Sequence, residues 1–108
     1  MALSRKQRKI IEDLGWDIEI EEYHNGEKRY LISQYSPLGE DFSFSVSYDD
    51  PVNDIIIYYN DYDAEEHAEM FIEFRGRNGV PSSIRALLKD ADDIEEMLEK
   101  LAEALRPH

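Results

Sequence analysis

Apolar residues recur along this chain with two different spacings, and these spacings predict where helices and strands lie. A first helix is predicted over about residues 5–14, because its apolar residues share one helical face, Ser4 and Gln7 form a capping pair and Gly15 follows. Apolar and acidic residues then alternate strictly over residues 16–21, which predicts a half-buried strand.

A tight hairpin is predicted next, because Asn25-Gly26 is the dipeptide that best suits a two-residue type I′ turn. A second strand over residues 28–35 follows it. With Asn25 and Gly26 as the loop, the predicted register places Ile20 opposite Leu31, Trp16 opposite Tyr35, and Glu22 opposite Arg29.

Phenylalanine, valine and tyrosine alternate with serine over residues 42–48, which predicts a third strand and completes an antiparallel meander. One face of this sheet is expected to lie against the helices. The predicted members of that face are Trp16, Ile18, Ile20, Leu31, Phe42 and Phe44.

The segment after the meander carries two conflicting signals. Asp50-Pro51 is typical of a helix start, and the apolar residues from Val52 to Tyr59 have helical spacing. Residues 55–59 are also a β-branched and aromatic run, which is typical of a buried strand. Because the cap and the spacing agree, we predict a helix.

Three further helices are predicted in the remaining chain. Asp63 and Glu66 cap one that runs from Ala64 to about Arg75, and its inward residues are predicted to be His67, Met70, Phe71 and Phe74. Ser82 or Ser83 begins a short helix, and Asp92 opens the last one.

These elements predict a single α+β domain over residues 1–108, with the order α-β-β-β-α-α-α-α. A three-stranded antiparallel meander is expected to pack against four to five helices.

The chain is strongly acidic, with 25 Asp and Glu against 12 Lys and Arg and a formal net charge of −13. Several of the cations form one N-terminal cluster, Arg5, Lys6, Arg8 and Lys9. Such a charge repels nucleic acid and anionic membranes and favours a basic protein partner. Cysteine is absent, and neither a membrane span nor a signal peptide is recognisable, so we expect a cytoplasmic protein.

Catalytic motifs are not recognisable in the sequence. None of His24, His67 and His108 has a serine or carboxylate partner at a catalytic spacing, and serine-hydrolase, zinc-protease, P-loop and dinucleotide motifs are missing. The acidic run around Asp61, Asp63 and Glu66 could hold Ca²⁺ or Mg²⁺, but Asp63 is better explained as a helix cap. We therefore expect no enzymatic activity, no cofactor and no metal.

The remaining signal is the arrangement of carboxylates on two predicted helices. The first carboxylate ladder is Glu65, Glu69 and Glu73, and the second is Asp92, Glu96, Glu99 and Glu103. Their steps of about 6 Å are comparable in scale with the phosphate spacing of one nucleic-acid strand. The first ladder adjoins the acidic turn at Asp61 and Asp63, so we expect it to matter more for binding. Solvated acidic helix faces are also common, and this explanation stays open.

Three stretches of the chain carry a family resemblance: Gln34 to Phe42, Asp61 to Met70, and Gly79 to Ser83. Together they resemble small acidic accessory proteins of phages and mobile elements of Gram-positive bacteria, over about residues 15–105. The group overlaps in size, charge and genetic setting with anti-CRISPR proteins.

This resemblance implies a non-enzymatic inhibitor that binds a type II CRISPR nuclease in the host bacterial cytoplasm and blocks guide RNA or DNA binding. The inhibitor is expected to be a monomer or a weak dimer that does not bind DNA itself. A DNA-mimic inhibitor of another defence enzyme, such as a restriction endonuclease, fits the charge equally well. Two further hypotheses are a direct nucleic-acid binder and a small metal-dependent hydrolase. The nucleic-acid binder would use Arg5, Lys6, Arg8, Lys9, Arg75 and Arg77. The hydrolase would use Asp61, Asp63 and Glu66.

Overall fold

The computed structural model describes residues 1–77, 80 and 83–107, and the predictions made for Asn78, Gly79, Pro81, Ser82 and His108 lie outside the described residues. The described elements confirm the predicted α+β order. In chain order they are α1 (Arg5–Asp13), β1 (Asp17–Glu22), β2 (Lys28–Tyr35), β3 (Asp41–Ser47), α2 (Pro51–Asp61), α3 (Ala64–Glu69), a 3₁₀ helix (Ile72–Phe74) and α4 (Ile84–Leu105).

The core lies between the inner face of the antiparallel sheet β1-β2-β3 and helices α1, α2 and α4. Trp16 is 2% exposed, which confirms its predicted burial, and its ring meets Phe44 edge-on with the ring centroids 5.8 Å apart. Phe44 in turn stacks on Tyr58 of α2 at 4.4 Å. The fully buried side chains include Ile11, Tyr30, Ile32, Ile55, Ile94, Leu98 and Leu101.

The hairpin between β1 and β2 forms, but its predicted register is wrong by one residue. The observed pairs are Glu22 with Lys28, Ile20 with Tyr30, and Ile18 with Ile32. Gly26 has a positive φ of 82° and donates its N–H to the Tyr23 carbonyl, while the Asn25 side chain accepts the Glu27 N–H. The loop is therefore three residues long, with glycine in the left-handed position, rather than a two-residue type I′ turn.

This change of register moves Leu31 to the other face of the sheet, because successive side chains of a strand point to opposite faces. Tyr30 and Ile32 are the buried residues of β2, so the prediction that Leu31 faces the helices is wrong. Ile20 does lie on the inner side of β1, yet β1 is an edge strand and Ile20 is 48% exposed.

Residues 55–59 are helical, so the prediction of a helix rather than a strand is confirmed. Pro51 occupies the start of α2, where its missing N–H and fixed φ suit a helix. The Asp50 side chain makes no capping hydrogen bond in α2. Asp54 instead accepts the backbone N–H of Ser47 at 2.8 Å, which ties the first turn of α2 to the end of β3.

Helix α3 ends at Glu69, well before the predicted end at about Arg75. The chain then forms tighter turns, with hydrogen bonds between residues three apart: Phe71 N–H donates to the Ala68 carbonyl and Phe74 N–H to the Phe71 carbonyl. This tighter path lets Phe71 and Ile72 pack on a small cluster of α3 and α4 residues. Met70 and Phe74 are exposed, so their predicted inward orientation is wrong, whereas His67 and Phe71 are partly buried.

The two predicted C-terminal helices form one continuous helix of 22 residues, capped by the Ser83 side chain on the Ala86 N–H. Asp92 lies inside this helix rather than at its start. The apolar positions continue across Asp92 with helical spacing, so the buried face, which also includes Asp90, runs on past Asp92: Leu87, Ala91, Ile94, Leu98, Leu101, Ala102 and Leu105. Within the described residues, no helix is long and apolar enough to cross a membrane.

Candidate functional site

The second carboxylate ladder lies on one exposed face of α4. Asp92, Glu96, Glu99 and Glu103 are all exposed. Their spacing along the helix places them over about 16 Å, at 1.5 Å per residue. Lys100 approaches Glu96 to 3.6 Å, but both side chains are well exposed, so this ion pair stabilises the helix little.

Carboxylates of α4 act electrostatically on Tyr59, near the end of α2. Partial burial raises the pKa of Tyr59 above its ordinary value, and the charges of Glu99, Glu95 and Glu103 raise it further. These carboxylates therefore act together on one neighbouring group of α2. The acidic face extends from α4 towards this tyrosine.

The first carboxylate ladder is not continuous. Glu65 and Glu69 lie on α3, whereas Glu73 lies on the 3₁₀ helix beyond the end of α3. All three are exposed, but the prediction of one helical ladder is wrong because the chain changes its helical geometry between Glu69 and Glu73.

The acidic turn before α3 has the structural role predicted for it. Asp63 accepts the backbone N–H groups of Glu65 and Glu66 at 3.0 and 3.2 Å, so the predicted N-cap is confirmed. Asp61 is the last residue of α2 and Asp63 is the N-cap of α3, and both side chains are exposed. In the described part of the chain, no group of three His, Asp or Glu side chains could hold a metal ion, and Asp61, Asp63 and Glu66 form no such group.

The cations considered for direct nucleic-acid binding lie on separate elements. Lys9 pairs with Asp13 at 3.3 Å, and the Arg8 guanidinium lies 5.7 Å from the centroid of the Tyr30 ring. Arg75 donates to the Ile72 carbonyl at 3.0 Å. Arg5, Lys6 and Arg77 are exposed. The structure thus shows local partners for several of these cations.

A histidine–carboxylate pair was missed by sequence reasoning. His67 Nε2 lies 2.8 Å and 3.0 Å from the two carboxylate oxygens of Glu40, although the residues are 27 positions apart in the sequence. Their side chains are only 16% and 21% exposed. The predicted inward position of His67 was the one local signal; nothing local identified Glu40 as its partner. His24 lies exposed in the hairpin loop.

A buried aspartate fixes the turn that carries Glu40. Asp90 of α4 is 4% exposed and accepts hydrogen bonds from the Ser36 hydroxyl at 2.8 Å and from the Leu38 N–H at 3.2 Å. The same hydroxyl accepts the Glu40 N–H at 2.9 Å. Because a buried carboxylate needs such partners, this network holds the β2–β3 turn against α4.

Glu40 and His67 line a cavity of about 560 Å³ between the start of β3, α2 and α3, here termed the Glu40 cavity. Burial, and then the charge of Glu40, raises the pKa of Tyr58 in its wall. Burial, and then the charge of Glu40, are also the largest causes that raise the pKa of the neighbouring Tyr62. The remaining lining residues are Gly39, Asp41, Phe42, Ser43, Met70, Phe71, Val80 and Leu87.

Comparison with known proteins gives no relative from which a function could be transferred. The sequence matches no protein-family model and no curated protein, and the fold matches no solved structure. The function must therefore be argued from the residues themselves.

Proposed function

We propose that this protein binds a basic nucleic-acid-handling protein through the second carboxylate ladder on α4 and competes with its nucleic acid. A type II CRISPR nuclease is the first target to test, because the mobile-element proteins that this sequence resembles overlap with anti-CRISPR proteins in size, charge and genetic setting. The single observation that supports the binding surface is the continuous exposed row of carboxylates on α4.

The rigidity of α4 supports this choice of surface. The face opposite the ladder is anchored by fully buried residues such as Ile94, Leu98 and Leu101. A surface already held in one conformation loses little conformational entropy when a partner binds. The four carboxylates are therefore presented as a preformed array.

Competition by such an array needs no chemistry on the part of the inhibitor. Channels that hold nucleic acid are lined with Lys and Arg, and they hold the duplex through its backbone charge rather than through its sequence. Carboxylates at helical spacing place negative charge at intervals of about 5–6 Å, which such a channel can accept. A bound inhibitor then excludes guide RNA or DNA.

The test compares two variants with the same net charge in a DNA-cleavage assay of the nuclease. One variant reverses the ladder by changing Asp92, Glu96, Glu99 and Glu103 to Lys. The matched control reverses exposed carboxylates elsewhere on the domain, Glu12, Asp17, Glu19 and Asp49. We expect the ladder variant to lose inhibition and the control to retain most of it.

Salt provides a second arm of the same experiment. Because the Debye length shrinks from about 10 Å at 0.1 M salt to about 3 Å at 1 M, inhibition by the unmodified protein should weaken steeply as salt rises. If both variants inhibit as well as the unmodified protein, the α4 surface is wrong. If the unmodified protein fails on the CRISPR nuclease but inhibits a restriction endonuclease, the target is wrong and the surface stands.

A further inference from the structure

We infer that the Glu40 cavity receives an arginine side chain from the basic partner, in addition to the contact made by α4. The inference rests on the proposed function for the identity of the partner. The cavity and its chemistry do not depend on the α4 ladder, so the two proposals can fail separately.

The charge around the cavity favours a cation. Glu40 and Asp41 line it, and the adjoining depression shares Tyr58, His67 and Met70 with it. That depression adds further carboxylates, Asp61, Asp63 and Glu66. Among the described residues that line the two, none is Lys or Arg. The charged side chains that an incoming cation meets among these described residues are therefore carboxylates, with His67 beside Glu40.

The walls of the cavity favour a guanidinium over an ammonium group. Phe42, Tyr58 and Phe71 supply aromatic rings, and Met70 supplies a polarizable thioether at the rim. A guanidinium is planar and weakly hydrated, so it can stack on aromatic faces, whereas a lysine ammonium is strongly hydrated. The apolar stem of arginine would also lie against these walls.

The Glu40 carboxylate is already held in place for such a ligand. His67 Nε2 lies against both of its oxygens, and the Glu40 backbone is fixed by Ser36 and, through it, by Asp90. A carboxylate has about four lone-pair sites, so the pair with His67 leaves sites for guanidinium N–H donors. Little further ordering is needed when the ligand binds.

The cavity is reachable from solvent, yet its Glu40–His67 pair is largely shielded from it. Met70 at its rim is 67% exposed, while Glu40 and His67 are mostly covered. A hydrogen bond to a charged group is stronger in such a partly desolvated site than in open water. An arginine side chain should therefore bind here more tightly than at the exposed carboxylates of α4.

The experiment uses the full chain and a small guanidinium probe, N-acetyl-arginine amide, followed by two-dimensional amide NMR. The matched probe is the citrulline analogue, which has nearly the same shape without the charge. We expect the arginine probe to shift the amide signals of Glu40, Phe42, Tyr58 and His67, and the citrulline probe to shift none of them. The lysine analogue should bind more weakly than the arginine probe.

Two variants locate the probe. Glu40→Gln should weaken its binding by about tenfold, the loss expected for one charge-assisted hydrogen bond, while Glu22→Gln on the exposed edge strand should leave it unchanged. Met70→Arg, at an exposed rim position, places a guanidinium beside the cavity from within the chain and should abolish probe binding. If Glu40→Gln does not fold, Met70→Arg alone tests whether the probe binds in the Glu40 cavity.

The inference is overturned if citrulline binds as well as arginine, if Glu40→Gln binds the probe normally, or if the shifts are confined to α4. If the probe binds in the cavity but the α4-reversed variant inhibits fully, the proposed α4 surface is wrong and the cavity assignment stands. If the probe does not bind but the α4-reversed variant loses inhibition, the cavity assignment is wrong and the α4 surface stands.

Discussion

The two carboxylate ladders look alike in sequence and differ in structure. The first comprises Glu65, Glu69 and Glu73, at steps of four residues; the second, from Asp92 to Glu103, has steps of four, three and four residues. Only the second lies on one helix, because α3 ends at Glu69 and α4 continues to Leu105. Similar helical spacing in sequence therefore corresponds to one continuous row of charge and one broken row.

The difference arises on the buried side of each helix. Helix α4 buries large side chains, including Ile94, Leu98 and Leu101, along its length. Helix α3 buries only Ala64 and Ala68. Because tertiary packing of an apolar face supplies most of the stability of a helix in a protein, the exposed charges are only as ordered as the face behind them.

The largest expected effect is on stability. Leu98→Ala should lower the free energy of unfolding by about 2–5 kcal/mol, because it leaves a cavity at a fully buried site. Ala68→Gly in α3 should cost only about 1–2 kcal/mol, the difference in helix propensity plus the loss of one buried methyl group. Urea unfolding followed by Trp16 fluorescence measures both. Similar losses from the two changes would mean that α3 is held as firmly as α4.

A smaller effect on stability is expected at Tyr62, between α2 and α3. Its hydroxyl donates to the Ala91 carbonyl of α4 at 3.3 Å and so links this junction to α4. Its pKa is raised above the ordinary 10.0, chiefly by burial and then by the charge of Glu40. The folded state thus keeps a proton that the unfolded chain loses, so stability should fall as pH rises above about 10, by up to about 1.4 kcal/mol per pH unit for each such group.

Tyr62→Phe should cost about 1 kcal/mol at neutral pH through the lost hydrogen bond and should flatten this alkaline decline. Urea unfolding at pH 8 and pH 10.5 gives both quantities, with exposed Tyr35→Phe as the control. An unchanged decline in the Tyr62 variant would show that Tyr62 does not cause it; Tyr58, whose pKa is also raised, would be the next residue to change.

Much of this fold could be predicted because the deciding interactions are local in sequence. The apolar spacing placed every strand and the helix at residues 51–61. The hairpin register could not be decided from residue pairing, because acidic and basic residues of the two strands face each other in either register: the observed one pairs Glu22 with Lys28 and Glu21 with Arg29. The loop geometry decided the register, through the Asn25 side chain and the φ of Gly26.

The candidate sites show where local reasoning stops. Asp92 suggested a helix start, although the buried face of α4 runs past it. The Glu40–His67 pair and the Ser36–Asp90 bond join residues that are 27 and 54 positions apart, so no spacing rule could find them. Exposure of the second ladder followed correctly from the helical period.

The smallest expected effects have opposite signs in the two ladders. Glu65 lies in the first turn of α3, where a negative charge is favourable, whereas Glu103 lies in the last turn of α4, where it is not. Glu65→Gln should therefore destabilise the protein and Glu103→Gln should stabilise it, each by roughly 0.3–1 kcal/mol. Thermal unfolding in low salt detects both, and both should shrink at high salt. Effects of the same sign would contradict this assignment.

The central claim is that a continuous ladder on a packed helix is the better binding surface, and association kinetics test it most directly. One variant changes Glu96, Glu99 and Glu103 to Lys, and the other changes Glu65, Glu69 and Glu73 to Lys, so their net charges are equal. We predict that at low salt the α4 variant associates with the target nuclease at least about tenfold more slowly than the α3 variant, because complementary charge acts mainly on the association rate. Equal rates, or a slower α3 variant, would contradict the account.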